Sequence, residues 1–118
     1  MKLIGIGIDI VEVDKIKKAI KKFGVNFLKR VFDEKELKNI SKNRLYYQRL
    51  AARFAAKEAV IKAISKEKIL ALNEIFILNK SNGAPYCEFK KDINVDIFLS
   101  ITHIDRYAVA CAVASLKN

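Results

Sequence analysis

From Leu3 to Ile10 the chain reads "LIGIGIDI", an alternation with a period of two. Ile4, Ile6, Ile8 and Ile10 fall on one side, and Gly5, Gly7 and Asp9 on the other. The pattern predicts a strand with a thick apolar core face and a bare face carrying one acid. Glycines weaken a strand unless something must approach its backbone closely. The period then changes. Val13, Ile16, Ile20 and Phe23 recur at helical spacing, Gly24 suits a C-cap, and the polar positions are mostly lysine. "DEKE" at 33–36 predicts a capping box opening a short helix, with Glu36 three residues after Asp33.

A long helix is predicted over about 44–65, because "RFAAKEAVIKAI" is rich in Ala and free of Gly and Pro. On a helical wheel Tyr47, Leu50, Phe54 and Ile61 form one stripe, and Glu58 lies beside it. An unpaired carboxylate there is costly to bury, so its position asks for a compensating cation. Further on, "EIFILNKSNGAPYCEF" predicts a hairpin turning at Ser81-Asn82-Gly83, and "VDIFLSITHIDRYAVACAVASL" a second turning near His103–Arg106. Strands and helices are segregated rather than alternating. The expected class is α+β with a mainly antiparallel sheet, in a single domain over 1–118.

Composition adds a partner and a compartment. The chain is 52% hydrophobic over 118 residues, enough for a real core, and carries a net charge of +10. That charge suits an acidic partner: nucleic acid, an anionic membrane, an acidic protein or a phosphorylated ligand. Cys87 and Cys111 stand isolated in strand-like text, with no metal-ligand spacing, and predict reduced, buried thiols in a cytoplasmic protein. "MKLIGIGIDIVEV" is interrupted by Asp9 and followed by no cleavage-type site, so no targeting signal is expected, and no apolar run is long enough to span a bilayer.

The candidate chemistry is individually weak. Asp9 is either a solvent-facing strand residue or a metal ligand beside glycines that admit a phosphate. Glu58 is either an i,i+4 partner of Lys62 or an inward-facing ligand. His103, the only histidine, sits by Ser100 and Thr102 at a strand end, where function concentrates. Arg49, Arg53 and Lys57 form an i,i+4,i+8 row that is a solvated face or a phosphate cradle. There is no P-loop, CxxC pair or nucleophile elbow.

The order of the pieces is more specific. "GIDIVEVDKI", "RFAAKEAVIKA", "NGAP" and "SITHIDRYAVA" together resemble the holo-[acyl-carrier-protein] synthase family of small phosphopantetheinyl transferases over essentially the whole chain. The resemblance implies transfer of 4′-phosphopantetheine from coenzyme A to a serine of an acyl carrier protein. It implies Asp9 and Glu58 as Mg²⁺ ligands, which agrees with the taste of magnesium for carboxylates, water and substrate phosphates. Glu58, directly or through a water, is the preferred general base, and His103 orients the ligand or serves as base instead. Arg53, Lys57 and Lys62 supply positive charge to the phosphates, and Asn82, Gly83, Pro85, Thr102 and His103 help bind coenzyme A. Lys15 and Lys22 on the basic first helix, with Phe27 and Arg30, match the face that meets the acidic carrier protein. Lys15 replaces a usual arginine, and "ISKEK" at 64–68 replaces usual glycines. A homotrimer is expected, with coenzyme A between subunits, partly because "YAVACAVASL" is apolar on both faces. No nucleic-acid or membrane partner is expected. The alternatives are a non-catalytic nucleic-acid-binding module, with Tyr46, Tyr47 and Phe54 as stacking groups, and a non-catalytic protein-interaction domain.

Overall fold

A computed structural model describes residues 1–118. Strands β1 (Lys2–Glu12), β4 (Val95–His103) and β5 (Tyr107–Leu116) form an antiparallel sheet in the order β1-β5-β4. β2 (Ile75–Asn79) and β3 (Pro85–Phe89) form a separate two-stranded hairpin. Helices α1 (Val13–Phe23), α2 (Val25–Val31) and α3 (Glu34–Leu37) lead into the long α4 (Tyr46–Ile64), which lies between the two sheets' contributions to the core. The α+β class holds, and both hairpins turn where local chemistry placed them. Gly83 takes φ 90°, a left-handed value that only glycine adopts freely, at the tip of the first. Gly24 closes α1 with φ 57°, its amide bonded to Ile20 O. The capping box forms at α3: Asp33 accepts from Lys35 N, and Glu36 Oε1 accepts from Asp33 N.

The expected polarity of β1 is inverted. Ile6, Ile8 and Ile10 are 70%, 64% and 64% exposed, while Gly5, Gly7 and Asp9 face α4. The reason is how closely the helix lies on the strand. A Cβ on Gly5 would stand 2.0 Å from Ala63 O, and one on Gly7 1.9 Å from Ala59 O. The glycines therefore admit the helix backbone, not a phosphate. The register continues this small-residue layer, with Gly5, Gly7 and Asp9 opposite Ala114, Ala112 and Ala110 of β5. Ile4 escapes the exposed row, since pairing shifts between Leu3 and Gly5 and it packs on the core instead.

The other sheet face carries Ile6, Ile8 and Ile10 beside Val113, Cys111 and Val109, then Phe98, Ser100 and Thr102 of β4. No element of the chain covers it. α4 is enclosed on its alanine side, where Ala51, Ala55, Ala56, Ala59 and Ala63 are buried, and the Tyr47–Phe54–Ile61 stripe is only half-buried. No helix is long and apolar enough to cross a membrane.

Candidate active site

Consecutive residues of a helix are about 100° apart, so Lys57 and Glu58 address different surroundings. Lys57 is fully buried. Its Nζ donates to Val31 O (2.7 Å), Ile75 O (2.6 Å) and Leu72 O (3.1 Å), and reaches Glu36 Oε1 at 2.6 Å. Glu36, equally buried, also accepts from Ile77 N at 2.9 Å through Oε2. Burial pushes the Lys57 pKa down, and the Glu36 carboxylate opposes that. An ammonium with every donor on protein oxygens has none for a ligand. The expected phosphate contact of Lys57 is thus corrected: the residue ties α4 to the end of α2, to α3 and to β2. The basic row divides into a surface part and a core part.

Glu58 turns toward Asp9. Both carboxylates line one cleft of about 490 Å³ with Val11, Lys15, Phe27 and Phe54; a third acid, Glu12, also lines it but lies 4.0 Å from the Lys15 ammonium. Burial first, and then the negative charge of Asp9, raise the Glu58 pKa, while Lys62 lowers it. Lys62 Nζ donates to Ile8 O (2.9 Å) and sits 3.3 Å from Asp9 Oδ1. Two acids short of positive charge, on a strand and a helix, form a donor set that fits a hard divalent cation. No cluster of three or more metal-ligating side chains exists, so the remaining ligands would be water and substrate oxygens, the habit of Mg²⁺.

A second cavity, of about 600 Å³, opens on the far side of α4. It gathers Arg53, Gly83, Pro85 and His103 from the expected set, and adds Arg49 and Asn79. Arg53 is held in place by donating to Ile77 O through Nη1 and to Asn79 Oδ1 through Nη2 (2.6 Å). Burial lowers its pKa, and the Glu36 charge counters. Asn79 Nδ2 in turn donates to Gly83 O (2.9 Å), so Arg53 and Asn79 fix the hairpin turn against α4. Asn82 stays at the exposed tip, its Oδ1 accepting from Ala84 N (3.0 Å), outside this lining. His103 Nδ1 meets Gln48 Oε1 at 2.9 Å.

Thr102 does not join His103. On β4 it alternates to the open sheet face, paired with Val109, whereas His103 pairs with Ala108 on the helix face. Of the expected docking residues, Lys15 and Phe27 line the cleft of Asp9 and Glu58, and Phe27 stacks on Phe54 with centroids 6.5 Å apart. Lys22 and Arg30 are exposed on α1 and α2. Asn79 and Gln48 were missed. Nothing local marks either, since each acts through a partner remote in sequence. Cys87 and Cys111 are both free thiols, and burial pushes Cys87 up to about 12, far from a reactive thiolate.

Residues 5–112 match the model of the 4′-phosphopantetheinyl transferase superfamily. Among curated relatives, the holo-[acyl-carrier-protein] synthase of Thermodesulfovibrio yellowstonii is 46% identical, over 92% of this chain and 96% of its own. That of Caldicellulosiruptor saccharolyticus is 43% identical, over 98% and 99%. Among solved structures, a holo-(acyl-carrier-protein) synthase from Bacillus anthracis in complex with CoA (3′,5′-ADP) superposes with a TM-score of 0.85 at 31% identity, covering 100% of both chains. The Helicobacter pylori holo-[acyl-carrier-protein] synthase in complex with coenzyme A gives 0.83 at 31% identity, covering 93% of this chain and 99% of that one.

Proposed function

The chain belongs to the 4′-phosphopantetheinyl transferase superfamily, and from that membership we propose that it transfers the 4′-phosphopantetheine of coenzyme A to a serine hydroxyl of an acyl carrier protein. The other product is adenosine 3′,5′-bisphosphate. The observation that carries this reading is the convergence of Asp9 and Glu58 on one cleft, with Lys62 beside them. The step readies carrier proteins for fatty-acid synthesis, and we read its setting as the cytoplasm, where two free thiols stay reduced. Since the family is one of transferases, the non-catalytic alternatives lose their support.

Asp9 and Glu58 would hold Mg²⁺, which when bound supplies Lewis-acid charge to the pyrophosphate. The residues do the rest. Lys62 adds positive charge beside Asp9, and Arg49 and Arg53 offer a basic wall in the second cavity for the anionic parts of coenzyme A. The carrier serine attacks phosphorus, the phosphoanhydride P–O bond breaks, and the bisphosphate leaves with the bonding pair. Glu58 takes the serine proton. His103, with Gly83 and Pro85 in the same lining, orients the ligand.

The +10 charge is read as steering for an acidic carrier protein, through Lys15, Lys22 and Arg30, with Phe27 as the apolar contact. The open face with Ile6, Ile8, Ile10 and Phe98 is read as the trimer contact, because monomers rarely expose so continuous an apolar sheet. Thr102 lies on that face, which suits a coenzyme A site shared between subunits. Light scattering should return three times the chain mass, and a monomer at working concentration would contradict the assembly. The activity is tested by the mass of an apo acyl carrier protein after incubation with this protein, coenzyme A and Mg²⁺. Gain of one phosphopantetheine is expected, and an unchanged mass would refute the reading.

A further inference from the structure

A buried strand edge needs partners for its outward amide and carbonyl groups. β2 bonds to β3 on one side, and no strand lies on the other. The ladder to β3 runs through even-numbered residues, with Lys90 N on Glu74 O (2.9 Å) at one end and Lys80 N on Ala84 O (2.8 Å) at the other. Odd-numbered residues therefore turn their polar groups outward. Ile75 O accepts from Lys57 Nζ (2.6 Å), Ile77 N donates to Glu36 Oε2 (2.9 Å), and Ile77 O accepts from Arg53 Nη1. A single residue of β2 thus joins a buried carboxylate to a guanidinium that lines the second cavity. The other oxygen of Glu36 is held by Asp33 N (2.9 Å) and Lys57 Nζ (2.6 Å), so the carboxylate is anchored on both sides. Glu36 has no part in the transfer chemistry proposed above.

We propose that Glu36 is a positioning residue for the ligand cavity: by holding Ile77 it sets where Arg53 presents its free N–H groups to an anionic group of coenzyme A. The guanidinium is a rigid planar fork. Nη1 is spent on Ile77 O and Nη2 on Asn79 Oδ1 (2.6 Å), and those two bonds fix the direction of the donors left over. A shift of Ile77 would turn the whole fork. Lys57 balances the Glu36 charge but bonds Ile75 rather than Ile77, so it lies outside this link. The positioning role rests on the proposed coenzyme A site, and the link from Glu36 through Ile77 to Arg53 does not.

The variants are built on Lys57→Met, so that none leaves the Lys57 ammonium unpaired in the core. Adding Glu36→Gln keeps an acceptor for Ile77 N, and adding Glu36→Leu keeps none. At equal folded amounts the Leu variant should raise KM for coenzyme A about tenfold with a smaller fall in kcat, and the Gln variant should stay within about twofold of the parent. ¹⁵N spectra of the full chain follow the link with no ligand present. In the parent the two Nη atoms of Arg53, identified by their absence from Arg53→Lys, should give separate signals, because both are bonded. In the Leu variant they should merge as the guanidinium turns freely. Merged signals in the parent overturn the link without any change at residue 36, and separate signals in the Leu variant overturn it as well. If the signals merge in the Leu variant while its KM equals that of the Gln variant, the positioning role is overturned. A parent that transfers no phosphopantetheine overturns the proposed function and the positioning role with it, and the spectra still decide the link.

Discussion

On α4, Lys57 and Glu58 stand one peptide bond apart and end in opposite situations. Lys57 enters the core, where the carbonyls of Val31, Leu72 and Ile75 and the carboxylate of Glu36 surround its ammonium. Glu58 enters a cleft where its near neighbours are a second acid, Asp9, and the partly exposed Lys62. One charge is fully answered by the fold and the other is not. A satisfied buried ion pair organises structure, whereas an under-compensated carboxylate with a raised pKa is available for chemistry. The comparison places Lys57 in the scaffold and supports the role in the reaction proposed for Glu58, although both come from a single "KEA" stretch.

The most severe break should come on the Glu58 side. Glu58→Gln and Asp9→Asn keep side-chain volume and remove a charge, and each should lower kcat by roughly 10³-fold or more, with circular dichroism unchanged. Excess chelator should act likewise on the parent protein, and full activity under chelation would remove the metal from the account. Next comes Lys57→Met, which strands the Glu36 carboxylate in the core and should cost about 3–5 kcal/mol of stability. Adding Glu36→Gln removes that stranded charge and keeps an acceptor for Ile77 N, so the double variant should recover part of the loss in urea titrations.

A smaller effect separates docking from catalysis. Reversing Lys15 and Lys22 to Glu should raise KM for carrier protein several-fold and leave KM for coenzyme A almost unchanged. Added salt should mimic it, because exposed charges are screened beyond about 10 Å at 0.1 M. If neither salt nor reversal changes KM for carrier protein, α1 is not the docking face. The smallest effect is on stability. The Glu58 carboxyl is raised in the folded state, so folding favours its protonated form. Its cost is absent below the unfolded carboxyl pKa and develops as pH rises through the folded one. In metal-free buffer Glu58→Gln should therefore unfold slightly later than the parent at neutral pH and show no gain in acid. A gain of equal size at both pH values would point to packing instead.

What could be read before folding divides along the same line. The two hairpins, the α3 capping box and the Gly24 cap were legible because each is written within a few residues. The orientation of β1 was not, because both faces of its sheet are apolar and alternation alone does not say which face meets a helix. The signal was present in another form: Gly5 and Gly7 on one strand, alternate alanines 108–114 on its partner, and alanines along α4. Small residues on three neighbouring elements mean close backbone approach. The separation of Thr102 from His103 was also implicit, since adjacent strand residues point to opposite faces. Lys57 was not legible at all, for its partners arrive from α2, α3, the turn before β2 and β2 itself.

The central division between these two neighbours is tested most directly by one experiment. Apo acyl carrier protein is incubated with coenzyme A, Mg²⁺ and equal folded amounts of the parent, Lys57→Met or Glu58→Gln, and its mass is followed with time. The parent and the folded Lys57→Met fraction should add phosphopantetheine at comparable rates, while folded Glu58→Gln should add essentially none. Transfer by Glu58→Gln at the parent rate, or its loss in fully folded Lys57→Met, would contradict the account.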